Sequence, residues 1–208
     1  MSEFIVSTKQ QLRQIYNEPS EGALKKVLSS LDKHCLNFLY KSPFCIVSTS
    51  NSSGKVDASP KGGDPGFLHV LDKNTLLLPD WPGNNRLDSF ENLIDNPRLG
   101  MLVLVPGISE TLRLNGAAII STDPDLKRLF VRDSKVPVSV VIIEIEEVYV
   151  HCARAIWRSE IWDYKRYIDK KEFPTMGKIL ADQISGYDAL EVDELIKKNR
   201  YKLYGEDR

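Results

Sequence analysis

Residues 79–89 read PDWPGNNRLDS and connect a strand candidate at 75–78 to a short helical pattern. Asp88 and Glu91 have the spacing of a capping box, which predicts that the helix begins at this point. The helix should end by Asn96, because a residue that precedes proline avoids the helical conformation. A loop with glycine and asparagine that leads into a helix N-terminus is typical of an anion site, since the N–H groups and the helix dipole favour phosphate.

Two interpretations of this loop stay open on its residues alone. In the first, Arg86 binds a phosphate through two parallel hydrogen bonds, as guanidinium groups often do. In the second, the loop is an ordinary turn rich in proline, glycine and asparagine, and Arg86 is solvated.

The composition is that of a globular domain with a sizeable core, because 42% of the 208 residues are hydrophobic and 27% are charged. We expect one domain over residues 1–208. A net charge of -1 and a pI near 6.3 provide no broad basic surface, which argues against nucleic acid or an anionic membrane as a partner.

The apolar runs are all shorter than the roughly 18 to 20 residues that a transmembrane helix needs. The first residues also lack the charged opening of a signal peptide, so we expect a cytoplasmic protein without a membrane partner. The three cysteines are odd in number and widely spaced, which predicts reduced thiols.

Hydrophobic periodicity divides the chain into N-terminal helices at 1–40, a β-rich core at 41–155 and a C-terminal helical segment at 156–208. The first part predicts two amphipathic helices separated by residues 19–22, the second of which can continue as far as Ser42 and Pro43. A further short helix is expected from Asp123 through Phe130.

The core contains short apolar runs separated by turn residues, which favour a small antiparallel barrel over a parallel doubly wound sheet. We therefore predict a mostly β fold with flanking helices, of the α+β class, with six to eight antiparallel strands. The expected strands are 44–49, 56–59, 67–70, 75–78, 99–105, 111–117, 136–145 and 148–153.

Several polar residues stand out by their spacing. On the strand at 111–117, period two places Arg113 with Thr111 and Asn115 on the face that is suited to water or to a polar ligand. Arg154 and Arg158 are four residues apart and point the same way on a helix or a strand. They form either a paired positive edge or two solvated side chains.

Known catalytic and metal-binding patterns are missing from the sequence. His34 and His151 each precede a cysteine, but adjacent side chains diverge too far to chelate one ion easily, so we predict no metal site. The glycines at 62, 63 and 66 match neither a P-loop nor a dinucleotide fingerprint. The catalytic residues stay unknown, and any chemistry should come from a cofactor.

Four motifs in order, over about residues 35–165, resemble the FMN-binding split-barrel proteins of the pyridoxamine 5'-phosphate oxidase-like class. The resemblance is to a branch of probable FMN-dependent enzymes that carries SPRGD, DRPGNRRxDS, PGxxETLRxNG and HCxKAxxRSxxW. Here these motifs read SPKGGD at 59–64, DWPGNNRLDS at 80–89, PGISETLRLNG at 106–116 and HCARAIWRSEIW at 151–162.

The chain departs from this pattern at four positions. Lys61 replaces an arginine, Gly63 shifts the following aspartate by one residue, and Trp81 and Asn85 stand where the pattern has arginines. We expect the loss of three guanidinium groups to weaken phosphate recognition, because lysine offers a point charge and asparagine none.

The resemblance implies a split barrel of the FMN-binding type, with the flavin at a homodimer interface. By this resemblance, Arg86 and Lys61 would bind the phosphate, helped by Asn84, Asn85 and Arg113. Ser59 would contact the flavin ring or the ribityl chain. The second subunit would contribute Arg154, Arg158 and Trp162.

The function implied is an FMN-dependent oxidoreductase that transfers a hydride or electrons on a small substrate, with a reduced nicotinamide as a candidate donor. Related split barrels bind haem, so a haem protein with His69 or His151 as axial ligand is one alternative. A dimeric flavin-binding module without turnover is the other, and the residues do not decide between FMN and a deazaflavin.

Overall fold

The computed structural model describes residues 4–204, with side chains described as far as residue 200. The chain divides into two compact units, Met1–Trp162 and Asp163–Arg208. The first unit contains the whole β-sheet, and the second is helical. A single domain over the full chain stays a prediction.

The first unit is built on one seven-stranded sheet in which every pair of neighbours is antiparallel. This architecture, with helices beside the sheet, confirms the predicted α+β split-barrel class. The strand order is β2-β1-β5-β6-β7-β4-β3. The strands are β1 (Phe44–Ser50), β2 (Val56–Gly62), β3 (His69–Asp72), β4 (Thr75–Asp80), β5 (Arg98–Leu104), β6 (Thr111–Ser121) and β7 (Ser139–His151).

Alternation along the strands sends every second side chain into one hydrophobic core. On β1 the buried positions include Cys45 and Val47, and on β5 they are Leu99, Met101 and Val103. The strand β4 is different, because four consecutive residues from Leu76 to Pro79 are buried. It is therefore covered on both faces, as its unbroken apolar sequence requires.

The two strands predicted at 136–145 and 148–153 are one strand, β7, so that prediction was wrong. Glu146 and Glu147 interrupt the apolar pattern, but Asn115 pairs with Glu147 while Gly116 pairs with Ile145, which leaves Glu146 as the extra residue of a bulge. The bulge absorbs the break in alternation, and the strand continues.

The third strand lies later than predicted, at His69–Asp72 instead of 67–70. Phe67 donates its backbone N–H to the Asp64 carbonyl at 2.9 Å in a turn, and Leu68 is fully buried. The apolar character of these two residues therefore reflects core packing before the strand begins.

Three helices, where two were predicted, precede the sheet: α1 (Lys9–Ile15), α2 (Glu21–Lys25) and α3 (Lys33–Lys41). The predicted second helix breaks because Leu28 exchanges two backbone hydrogen bonds with Val148, at 3.0 and 2.8 Å. Asp32 then caps α3 by accepting N–H bonds from His34 and Cys35.

Helix α4 (Asp88–Asp95) ends at Asn96 as predicted, but the capping box was wrong. Its N-cap is Leu87, which makes no side-chain cap, and Asp88 and Glu91 lie inside the first turn. There their charges still suit the positive end of the dipole. Two short helices follow, α5 (Pro124–Arg128), which Asp123 caps, and α6 (Arg154–Ser159).

The second unit contains 3₁₀ turns at Tyr164–Arg166 and Lys170–Glu172 and two helices, α7 (Met176–Gln183) and α8 (Ala189–Tyr204). Gly177 donates its N–H to Asp193 at 2.8 Å, and a Cβ on Gly177 would lie 2.1 Å from the Ala189 carbonyl oxygen. Only glycine permits this approach of the two helices. Within residues 4–204, none of the helices combines the length and apolar character needed to cross a bilayer.

Candidate functional site

A cleft of about 680 Å³ opens between β2, the end of β4, the loop at 81–87 and the start of α4. This volume lies within the range of roughly 300–1,000 Å³ that is usual for small-molecule sites. Five of the nine predicted cofactor-binding residues line it together, namely Ser59, Lys61, Asn84, Asn85 and Arg86.

Strand β2 supplies one wall of the cleft. Asp57, Ser59 and Lys61 are partly buried, whereas the residues between them are exposed, so the three share one face at period two. Antiparallel pairing with β1 fixes their register, with Ser59 opposite Val47 and Lys61 opposite Cys45. Both β1 residues are buried in the core, which holds this wall in place.

Lys61 faces two groups from other parts of the chain. Its Nζ lies 3.4 Å from Asp80 Oδ1 and 5.5 Å from the centre of the Phe90 ring. The side chains of Lys61 and Asp80 are 23% and 21% exposed, so water screens this pair less than it screens a surface pair. Asp80 is itself positioned by pairing with the buried Ser139 on β7, which also lines the cleft.

The loop at 81–87 has a locally determined conformation. Asn84 Oδ1 accepts the backbone N–H of Arg86 at 3.0 Å, and Asn85 adopts a left-handed conformation with φ of 58°, which asparagine tolerates better than most residues. Arg86 Nε donates to Asp88 Oδ2 at 2.6 Å. This hydrogen bond lowers the pKa of the Asp88 carboxyl and raises the pKa of Arg86.

Helix α4 is held against β1 and β2 by three polar contacts. The Ser89 hydroxyl donates a short hydrogen bond to the Asp57 carboxylate. Asn92 Nδ2 donates to the Thr49 hydroxyl at 3.0 Å, and Asn96 Nδ2 donates to the Ser50 carbonyl at 2.9 Å. The start of the helix is therefore fixed beside the β2 wall.

The sequence patterns assigned no ligand role to the carboxylates of the cleft. Asp57 could have been found, because it precedes Ser59 by two on the same strand face. Asp80 is the first residue of the motif at 80–89 but was given no ligand role, and Ser139 carries no signal, since only the pairing of β4 with β7 brings it beside Asp80. The other lining residues that were not predicted as ligands include Trp81, Asp88, Ser89 and Phe90.

The remaining four predicted residues do not line this cleft within one chain. Arg113 is exposed on β6, where its Cζ lies 5.8 Å from the Tyr149 ring centre. Arg154 and Arg158 are exposed on α6, and the Trp162 indole N–H donates to the Ile108 carbonyl at 2.9 Å. Their assignment to a cofactor stays a prediction that needs a second chain.

The two histidines considered as haem ligands also lie outside the cleft lining. The His69 ring meets Phe130 edge to face at 5.9 Å, and the His151 ring lies 6.0 Å from Tyr149. Among residues 4–204, no three His, Cys, Asp or Glu side chains are grouped so that they could hold a metal ion.

The seven-stranded antiparallel sheet with flanking helices has the architecture of a split barrel. The sequence model of the family described as pyridoxamine 5'-phosphate oxidase matches residues 31–152, more than half of the chain. The chain belongs to this family.

Solved structures to which the chain is similar include HupZ of Group A Streptococcus, at 19% identity and a TM-score of 0.47, with 58% of this chain and 93% of that chain covered. A candidate pyridoxamine 5'-phosphate oxidase of Lactobacillus delbrueckii is 22% identical, with a TM-score of 0.46 and coverage of 59% and 95%. An FMN-binding protein of Syntrophomonas wolfei is 15% identical, with a TM-score of 0.42 and coverage of 55% and 80%. No curated protein matches the sequence.

Proposed function

We propose that this protein is an FMN-dependent oxidoreductase that transfers a hydride or electrons between a small donor, such as a reduced nicotinamide, and an acceptor. The observation that carries the proposal is the shared cleft, in which Ser59, Lys61, Asn84, Asn85 and Arg86 meet. These residues come from two separate parts of the sequence. Both parts resemble motifs of the FMN-dependent branch, although Lys61 and Asn85 replace arginines of those motifs.

The cleft contains groups that could contact each part of a phosphorylated flavin. Lys61 and Arg86 provide the cations for a phosphate, Ser59 and Ser139 provide hydroxyl groups, and Trp81 and Phe90 provide aromatic rings beside a tricyclic ligand. Bound FMN would supply the redox chemistry at its ring. The protein would bind the phosphate, orient the ring and keep water away from it.

The proposal includes a homodimer, in which Arg113, Arg154, Arg158 and Trp162 act from a second subunit. In support, α6 carries exposed apolar surface beside its two arginines: Trp157 is 64% exposed, and Ile161, just after the helix, is 50% exposed. Large apolar groups next to arginine are typical of protein interfaces.

The absorption spectrum of the purified full-length protein after gel filtration tests the cofactor. Retained flavin bands would support the proposal, and a sharp Soret band would instead identify a haem protein. Neither His69 nor His151 lines the cleft, which favours the flavin.

Anaerobic addition of reduced nicotinamide then tests the oxidoreductase activity. Bleaching of the flavin bands, with return of the bands in air, is the expected result. A flavin that stays oxidised with nicotinamides and with other small reductants would indicate a flavin-binding module without turnover.

A further inference from the structure

Asp80 occupies the position from which it can compete with a ligand for Lys61. It is the last residue of β4, and its Oδ1 lies 3.4 Å from Lys61 Nζ at the cleft surface. Both side chains are less than a quarter exposed, so the attraction between them is stronger than in bulk water. An entering phosphate must share Lys61 with this carboxylate or displace it.

The charge balance of the cleft makes this competition important. The lining contains two cations, Lys61 and Arg86, and three carboxylates, Asp57, Asp80 and Asp88. Each cation already has a carboxylate partner, since Arg86 Nε donates to Asp88. A phosphate, which carries nearly two negative charges at neutral pH, therefore enters a lining without surplus positive charge.

The two ion pairs should not oppose phosphate binding equally. The Arg86 side chain is 78% exposed, and an exposed pair is screened and easily rearranged. Lys61 is held from two sides, by Asp80 and by the Phe90 ring 5.5 Å from its Nζ. Asp80 is in turn fixed by the pairing of β4 with β7. Of the two carboxylates that pair with a cation, Asp80 is thus the one that a ligand phosphate has more difficulty displacing.

We infer that Asp80 is a specificity-determining residue that lowers the affinity of the cleft for the phosphate group of its ligand. Asp80 thereby reduces the ratio of the FMN affinity to the riboflavin affinity. This inference rests on the proposed flavin-binding function. It assigns to Asp80 an effect on the phosphorylated ligand alone, because riboflavin has the same ring and ribityl chain but no group that competes for Lys61.

The test compares the dissociation constants of FMN and riboflavin, measured by quenching of flavin fluorescence, for the wild-type full chain and Asp80→Asn. The substitution keeps the shape of the side chain and removes its charge. We expect FMN to bind about three- to tenfold more tightly to Asp80→Asn, while the riboflavin constant changes less than about twofold. Asp80→Ser should change the ratio in the same direction, and it replaces Asp80→Asn if that variant does not fold.

Glu146→Gln is the matched control. Glu146 is an exposed carboxylate that pairs with Arg98 outside the cleft lining, so its loss changes the net charge equally without releasing Lys61. Its ratio of FMN to riboflavin affinity should equal that of the wild type.

An unchanged ratio in Asp80→Asn, or an equal change for both flavins, would overturn the inference while the proposed function stands. Weaker FMN binding by the variant would also overturn it, because Asp80 would then assist the phosphate. If neither flavin binds to the wild-type protein, the proposed function itself fails, and this inference fails with it.

Discussion

Lys61 on β2 and Asp80 on β4 form an ion pair with 3.4 Å between Nζ and Oδ1, although four other strands separate β2 from β4 in the sheet. The pair thus joins two strands that share no backbone ladder. It lies in the cleft that we propose as the flavin site, which links the stability of this region to ligand binding.

Lys61→Met should reduce both stability and FMN binding. Asp80 would keep its charge in a partly buried position without its partner, so we expect the free energy of unfolding to fall by about 1–2 kcal/mol. FMN affinity should fall about tenfold because a cation for the phosphate is lost. Urea titration and fluorescence quenching measure the two effects, and unchanged FMN affinity would remove Lys61 from the site.

Arg86→Ala should affect binding without affecting the fold. The side chain is 78% exposed and touches the protein mainly through Asp88, so the melting temperature should stay near that of the wild type. FMN affinity should fall about tenfold, through loss of a charge-assisted contact. Arg98→Ala is the matched control, because Arg98 is also an exposed arginine paired with a carboxylate but does not line the cleft. Equal FMN affinities in the two variants would contradict the prediction.

Gly116→Ala should destabilise the sheet at the bulge between β6 and β7. A Cβ at this position would lie 2.0 Å from the Glu144 carbonyl oxygen, and backbone atoms on both sides would have to move. We expect a loss of about 1–3 kcal/mol or more in the free energy of unfolding. Gly22→Ala, in α2, serves as the control because nothing lies within 4 Å of its added Cβ, and it should be neutral or slightly stabilising. A Gly116→Ala protein as stable as the wild type would be incompatible with this bulge.

The cysteines should differ in reactivity. Burial raises the pKa of Cys45 to about 12 and that of Cys35 to about 11, whereas Cys152 is exposed. A thiol reagent at pH 8 should therefore modify one cysteine in the native protein and all three after denaturation. Rapid modification of all three cysteines in the native protein would show that the core opens readily.

The same burial predicts how stability depends on alkaline pH. A thiol with an ordinary pKa near 9.0 ionises in the unfolded chain before it ionises in the fold. Above pH 9 the unfolded state therefore binds fewer protons than the folded state. The contribution of the Cys45 thiol to the free energy of unfolding is fully present below about pH 9 and is lost as the pH rises toward 12. Urea titrations at several pH values measure the slope, which should be smaller in Cys45→Ala. An identical slope in that variant would assign the loss to other groups.

Much of the fold could be predicted because its signals are local. The hairpin of β1 and β2 follows from the strand patterns at 44–49 and 56–59 and from the turn residues at 51–54 between them. Helix α4 ends at Asn96 because Pro97 follows it. The long strand β7 could not be predicted, since Glu146 breaks the alternation and only the register with β6 identifies it as a bulge.

For the candidate site, the sequence indicated part of the cleft lining, and the roles of these residues stay predictions. Arg86, Asn84 and Asn85 lie in one loop of characteristic sequence, and Lys61 lies in a second motif. Asp80 belongs to the motif at 80–89, but its contact with Lys61 was not predictable, because the closing of the sheet brings the two side chains together and no spacing in the chain indicates it. The sequence therefore indicated the two cations of the cleft but not the ion pairs that they form with Asp80 and Asp88.

The separation of Lys61 and Asp80 depends on the summed twist of the five ladders that connect β2 to β4. A substitution in β5 or β6 that flattens the sheet by a few degrees per ladder would increase the distance between Lys61 and Asp80 without contacting either residue. If the cleft binds the flavin as proposed, we expect its affinity to depend on the curvature of the whole sheet as well as on the lining residues, so that a distant substitution could weaken binding without removing a contact.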